Sequence, residues 1–103
     1  MHTNAAKPMK VKIHYLGLVK TYTNKTQDDL TLKDDATLCE MLEKLAADLG
    51  KPFNPEVYEP TKQEIKPTFM VLLNGIVVDP QEGLSTKLKD GDAVVIMPLV
   101  TGG

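Results

Sequence analysis

Thr37-Leu38-Cys39-Glu40-Met41-Leu42-Glu43-Lys44-Leu45-Ala46-Ala47-Asp48-Leu49-Gly50 is the segment on which the fold turns. Thr37 followed three positions later by Glu40 has the form of a capping box. The Thr37 hydroxyl can accept from the Glu40 backbone N–H, and the Glu40 carboxylate can return to the Thr37 N–H. Leu38, Met41, Leu42, Leu45 and Leu49 recur at spacings of three and four and make one apolar stripe. Glu43, Lys44, Ala47 and Asp48 fall largely opposite. Gly50 is a natural C′ stop, and Pro52 bars continuation. The segment therefore predicts an amphipathic helix, whose stripe needs an apolar surface to cover.

Strand-like segments on both sides supply that surface. Upstream, Val11, Ile13 and Tyr15 alternate with Lys12, His14 and Leu16, a half-buried strand over 11–16. Gly17 and the polar run Thr21–Asp29 read as a loop. Leu30 and Leu32 alternate with Thr31 and Lys33 as a second strand, antiparallel to the first, and Asp34-Asp35-Ala36 breaks it. Residues 1–9 read as a flexible N-terminal arm. Downstream, residues 51–67 hold Pro52, Pro55, Pro60 and Pro67 and read as a loop insertion without regular structure. Phe69–Leu73 is an apolar, central strand, and Asn74-Gly75 turns it back through Ile76-Val77-Val78. Leu84 and Leu88 suggest a helical turn, and Ala93–Met97 is the last strand. The order β β α β (β) β predicts an α+β domain over 10–97, with one main helix on a mixed sheet of four to five strands. Strand parity points Val94 and Ile96 inward, and His14, Leu16, Val95 and Met97 outward.

Composition bounds the function. The chain has 103 residues, enough for one domain, which buries roughly 65% of the surface its unfolded form exposes. With 42% hydrophobic and 25% charged residues it needs no covalent staples. Its net charge is −2, and all 12 basic residues are Lys. Without Arg, the usual bidentate reader of phosphate and guanine, nucleic acid is a poor candidate partner. Cys39 alone excludes an internal disulfide and a cysteine-based zinc site, and suits a reducing compartment. No apolar run is long enough for a membrane span or a signal peptide, so a cytoplasmic protein is expected.

Conventional catalysis finds no constellation. His2 and His14 have no partner at metal or triad spacing, so no metal site is expected. Ser85 lacks a nucleophile-elbow context. Asp28-Asp29 and Asp34-Asp35 read as solvated turn carboxylates. Cys39, near a helix N-terminus, reads as a partly buried, inert thiol.

The segment Pro98-Leu99-Val100-Thr101-Gly102-Gly103 carries no side-chain charge. An uncharged, extended tail leaving a strand suits threading into a channel. Two glycines let the backbone pass a tight constriction and present the terminal carboxylate. The strand Val11–Leu16, the capped helix from Thr37, Val71-Leu72-Leu73-Asn74-Gly75, Leu88-Lys89-Asp90-Gly91-Asp92 and this tail together resemble the MoaD/ThiS family of sulfur carriers, MoaD most closely.

That resemblance implies the ubiquitin-like β-grasp fold. It implies that the chain is not itself an enzyme and binds no cofactor. A MoeB/ThiF-like adenylating enzyme would use ATP to activate the Gly103 carboxylate, and a sulfur-donor protein would convert it to a thiocarboxylate. A MoaE-like large synthase subunit would then take the tail and pass the sulfur to a molybdopterin precursor. Leu16, Val77 and Met97 match the family's partner-facing hydrophobic patch. The 51–67 insertion resembles that of small archaeal modifiers and the eukaryotic ubiquitin-related modifier. It leaves conjugation to lysines through Gly103 as an alternative, beside sulfur delivery to thiamine or tRNA.

Overall fold

A computed structural model of the chain describes residues 8–99. In chain order it forms β1 (Met9–Tyr15), α1 (Leu18–Thr23), β2 (Gln27–Leu32), α2 (Leu38–Leu49), a short α3 (Phe53–Glu56), β3 (Tyr58–Glu59) and β4 (Glu64–Ile65). Then follow β5 (Phe69–Leu73), β6 (Ile76–Val77), a 3-10 turn at Glu82–Ser85 and β7 (Ala93–Pro98). Five strands make one sheet in the order β2-β1-β7-β5-β6. The β1–β7 pair is parallel, with Lys12 beside Ala93 and Tyr15 beside Ile96, and the other pairs are antiparallel. The sheet is mixed, as the strand order predicts, and grasps α2 on one face.

Alternation decides what that face contains. Val11, Ile13 and Tyr15 of β1, Val94 and Ile96 of β7, and Phe69 and Val71 of β5 are all buried. They meet Leu38, Met41, Leu42 and Leu45 of α2, none more than 1% exposed. Leu49, the last member of the stripe, is only half-buried, and Ala46 takes up the burial instead.

The capping box forms as the spacing requires. The Thr37 hydroxyl accepts from the Glu40 N–H at 3.2 Å, and Glu40 Oε1 accepts from the Thr37 N–H at 2.9 Å. Lys33 Nζ lies 3.1 Å from the other carboxylate oxygen. The Thr37 backbone N–H, and after it the Lys33 ammonium, hold the Glu40 carboxyl below its ordinary range. A carboxyl with a depressed folded-state pKa stabilises above its unfolded value, and the contribution is lost as pH falls through the folded value. The gap in melting temperature between the wild type and Glu40→Ala should therefore be widest near neutrality and should close in acid. Thermal melts across the acid range check this, and a gap independent of pH counts against an ionised cap.

Three stretches depart from the sequence reading. The strand assigned to 11–16 spans Met9–Tyr15, and Met9 is 4% exposed, so position 9 belongs to the sheet rather than to an arm. Residues 1–7 lie outside the described residues. The polar loop after Gly17 contains α1, and β2 already begins at Gln27. α1 is too short to show helical periodicity, and no side chain caps its start. It is held by buried Val19 and by Tyr22, whose ring centroid lies 6.3 Å from that of Phe69. Asn24, in the left-handed region at φ 60°, ends it.

The third departure is the insertion. Residues 51–67 fold onto the core, with Phe53, Val57, Tyr58 and Ile65 buried and β3 paired antiparallel to β4. The prolines act as punctuation rather than as breakers of all structure. Pro52 precedes α3, Pro60 falls in the β3–β4 connection and Pro67 follows β4. Asn54, constrained by the following Pro55, leaves helical geometry at φ −101°, ψ 113°. The Tyr58 hydroxyl donates to Glu43 Oε2 at 2.7 Å and lies 3.4 Å from Cys39 Sγ, which fastens the insertion to α2. Burial, followed by these bonds to Cys39 and Glu43, pushes the Tyr58 phenol up and keeps it neutral.

β5 is an interior strand as expected, but β7 occupies the middle of the sheet. That position matters for everything at the C-terminal side of the chain.

Candidate functional site

β7 presents two faces. Val94 and Ile96 are fully buried against the helix side, while Val95 and Met97 are half-buried on the opposite side. Register sets their neighbours. Met97 lies opposite Met70, Val95 lies opposite Leu72 and beside His14, and Leu72 lies opposite Val77. The sheet face away from α2 thus carries an apolar patch of Met70, Leu72, Val77, Val95 and Met97. Val77 is 57% exposed, and Leu16, just past the end of β1, is 45% exposed. Leu16 joins the patch through its N–H, which donates to the Ile96 carbonyl at 3.1 Å.

Strand parity in the sequence put Leu16, Val95 and Met97 on this side and the family resemblance added Val77, but Met70 and Leu72 were missed. Phe69–Leu73 is apolar at every position, so composition hides its parity. Only the burial of Phe69 and Val71 in the folded sheet shows that Met70 and Leu72 turn outward.

The chain leaves the sheet between two restraints. On one side, the Leu99 N–H donates to the Thr68 carbonyl at 2.8 Å. On the other, Gly17 sits at φ +57°, and a Cβ there would come within 3.1 Å of the Pro98 ring. Positive φ and that close approach both call for glycine. Leu99 is 47% exposed and lines an apolar groove of about 340 Å³ shared with Ile65, Met70, Val78 and Pro80. Val100, Thr101, Gly102 and Gly103 lie outside the described residues.

The titratable groups weighed as catalysts have other partners. Cys39 lies on α2, across the sheet from the patch, near Tyr58. Asp28 is a β2 residue rather than a loop residue; it accepts from the Tyr15 hydroxyl at 2.7 Å and from Lys25 at 3.1 Å. Asp35 pairs with Lys87 at 3.2 Å in solvent. Asn74 and Asp92, read from the sequence only as turn residues, tie two turns together. Asn74 Nδ2 donates to Asp92 Oδ1 at 2.9 Å, and the Ala93 N–H donates to Asn74 Oδ1 at 2.9 Å. These bonds fix the start of β7. Among the described residues, no helix is long and apolar enough to cross a membrane.

Comparison with known proteins agrees with this geometry. Residues 13–103 match the ThiS family. The chain belongs to the ThiS family of ubiquitin-like sulfur carriers. It is 30% identical to Small archaeal modifier protein 3 of Haloferax volcanii over 95 residues, which is 92% of this chain and 100% of that protein. A Haloferax volcanii protein solved in solution superposes with a TM-score of 0.78 at 28% identity, over 100% of this chain and 94% of its own. A chain of the complex of subunits 1 and 2 of the molybdopterin-converting factor from Helicobacter pylori superposes with a TM-score of 0.56 at 25% identity. That match covers 92% of this chain and 100% of the other. The proteins similar to this chain thus include one named as a modifier and one solved in complex with a partner subunit.

Proposed function

We propose that this protein is a cytoplasmic sulfur carrier, not a catalyst, whose Gly103 carboxylate is the reacting group. The observation that carries the reading is the position of β7. The middle strand of the sheet supplies Val95 and Met97 of the apolar patch and continues into the segment Pro98–Gly103, which has no charged side chain. A partner that draws this segment into its active site must stand beside that patch. The partner is an adenylating enzyme of the MoeB/ThiF type. It supplies ATP, and the carboxylate attacks the α-phosphorus and expels pyrophosphate. The outer sulfur of a persulfide on a sulfur-donor protein then displaces AMP to give an acyl disulfide, and a second thiol cleaves its S–S bond, so that the tail leaves as a thiocarboxylate and the two thiols remain joined as a disulfide. Delivery to a molybdopterin precursor on a MoaE-type large subunit is supported by the likeness to the molybdopterin-converting factor complex.

A second reading has its own observation. The 30% identity to a small archaeal modifier supports conjugation of the activated Gly103 to lysines. Both readings share the adenylate and part afterwards. Intact mass from cells distinguishes them: a carrier gains the difference between sulfur and oxygen at its terminus, whereas a modifier leaves Gly-Gly remnants on target lysines after digestion. Neither signature in cells expressing the protein would remove both readings.

The patch gives a further expected outcome. Met97→Lys or Leu16→Asp should leave the fold largely intact, since neither side chain is in the core, and should weaken binding of the adenylating enzyme. A charge covered by a partner without a counter-charge costs several kcal/mol of desolvation. Unchanged affinity with an unchanged melting temperature would show that partners dock elsewhere.

A further inference from the structure

One polar side chain interrupts the apolar patch. His14 is half-buried near the end of β1, beside Val95 of β7 and opposite Gln27 of β2. The charged groups on the same face come from β1 and β2: Lys10, Lys12 and Asp29, the last two paired at 4.0 Å. The outward positions of β7 and β5, which are Val95, Met97, Met70 and Leu72, bring no charge. The carboxylate nearest along the face is thus already engaged by Lys12, and the strands on the other side offer His14 no counter-charge.

We infer that His14 makes docking on this face dependent on pH, with association weakening as the medium turns acid. The inference rests on the preceding reading, in which the occupant of the face is the adenylating enzyme. That occupant follows from Val95, which lies beside His14 on the strand that leads to Leu99 and the tail. Histidine is the side chain that ordinarily changes charge between about pH 5 and 8. Covering a neutral imidazole with an apolar partner surface is tolerable, whereas covering an imidazolium there is not, because burial disfavours the charged form. The partner therefore selects the neutral ring.

The test is calorimetric titration of the full chain with the MoeB/ThiF-type enzyme of the same organism, near pH 8 and near pH 5.5. Wild type should bind several-fold more weakly at the lower pH. His14→Gln should show a ratio of affinities close to one, and His14→Lys should bind weakly at both. Titration within the enzyme itself acts on all three proteins alike, so the contrast among them isolates position 14. Equal slopes for wild type and His14→Gln overturn the inference and leave the docking reading standing. Absence of association near pH 8 overturns both.

Discussion

Deleting Gly103, or adding one residue after it, is expected to lower ATP–pyrophosphate exchange on the adenylating enzyme by about a hundredfold or more, since misplacement by 1 Å alone can cost that much. One residue changes the reach of an extended backbone by up to about 3.6 Å. Transfer requires the carboxylate in line with the α-phosphorus, and a shortened or lengthened tail cannot place it there. Melting should not change, because β7 ends at Pro98 and, among the described residues, those of the core all precede it. Gly102→Ala is the graded version: the variant should bind the enzyme and react slowly, since a Cβ crowds a narrow channel and restricts φ. A shortened protein that supports exchange at the wild-type rate would end the carrier and modifier readings together.

Leu45→Ala should destabilise the domain by about 2–5 kcal/mol, the range for emptying a fully buried leucine site. Leu45 is 1% exposed, in the middle of the α2 face that meets the sheet. In a domain of this size each kcal/mol moves the melting temperature by roughly 4–8 °C, so the change is large on any thermal scan. Urea unfolding gives the same quantity as a shift in midpoint at constant slope. A loss below about 1 kcal/mol would mean that the site collapses around the truncation and that the packing at α2 is softer than its burial indicates.

The helix that Leu45 anchors was the most legible part of the sequence, because each of its determinants is local. The box needs Thr37 and Glu40 on adjoining turns, the stripe needs a period of 3.6, and the stop needs Gly50. The parity of β7 was legible for the same reason: alternation is a property of neighbours. What escaped depends on contacts far along the chain. Phe53, Val57, Tyr58 and Ile65 show no common period, and they are buried only because α2 and the insertion meet across Glu43 and Cys39. The link between Asn74 and Asp92 likewise joins two turns that each read as ordinary. At the site, Leu16 and Met97 were readable one strand at a time, and Val77 only through the family resemblance. The patch as a surface, with Met70, Leu72 and His14 in it, required the strand order, which no single strand contains.

The parallel pairing of β1 with β7 also has a consequence in time. Lys12 finds Ala93 only after nearly all the described chain exists, and closing so long a loop is a slow, late event in folding. On a ribosome, β1, β2 and α2 emerge early and wait with their apolar sides unfilled, because the strand that lies between β1 and β5 comes last. A chain broken off before residue 93 has neither a closed core nor the Val95 and Met97 part of the patch. An activating enzyme that docks on that patch, as proposed above, would meet a surface that exists only once the domain has finished folding, and would pass over incomplete products before any ATP is spent on them.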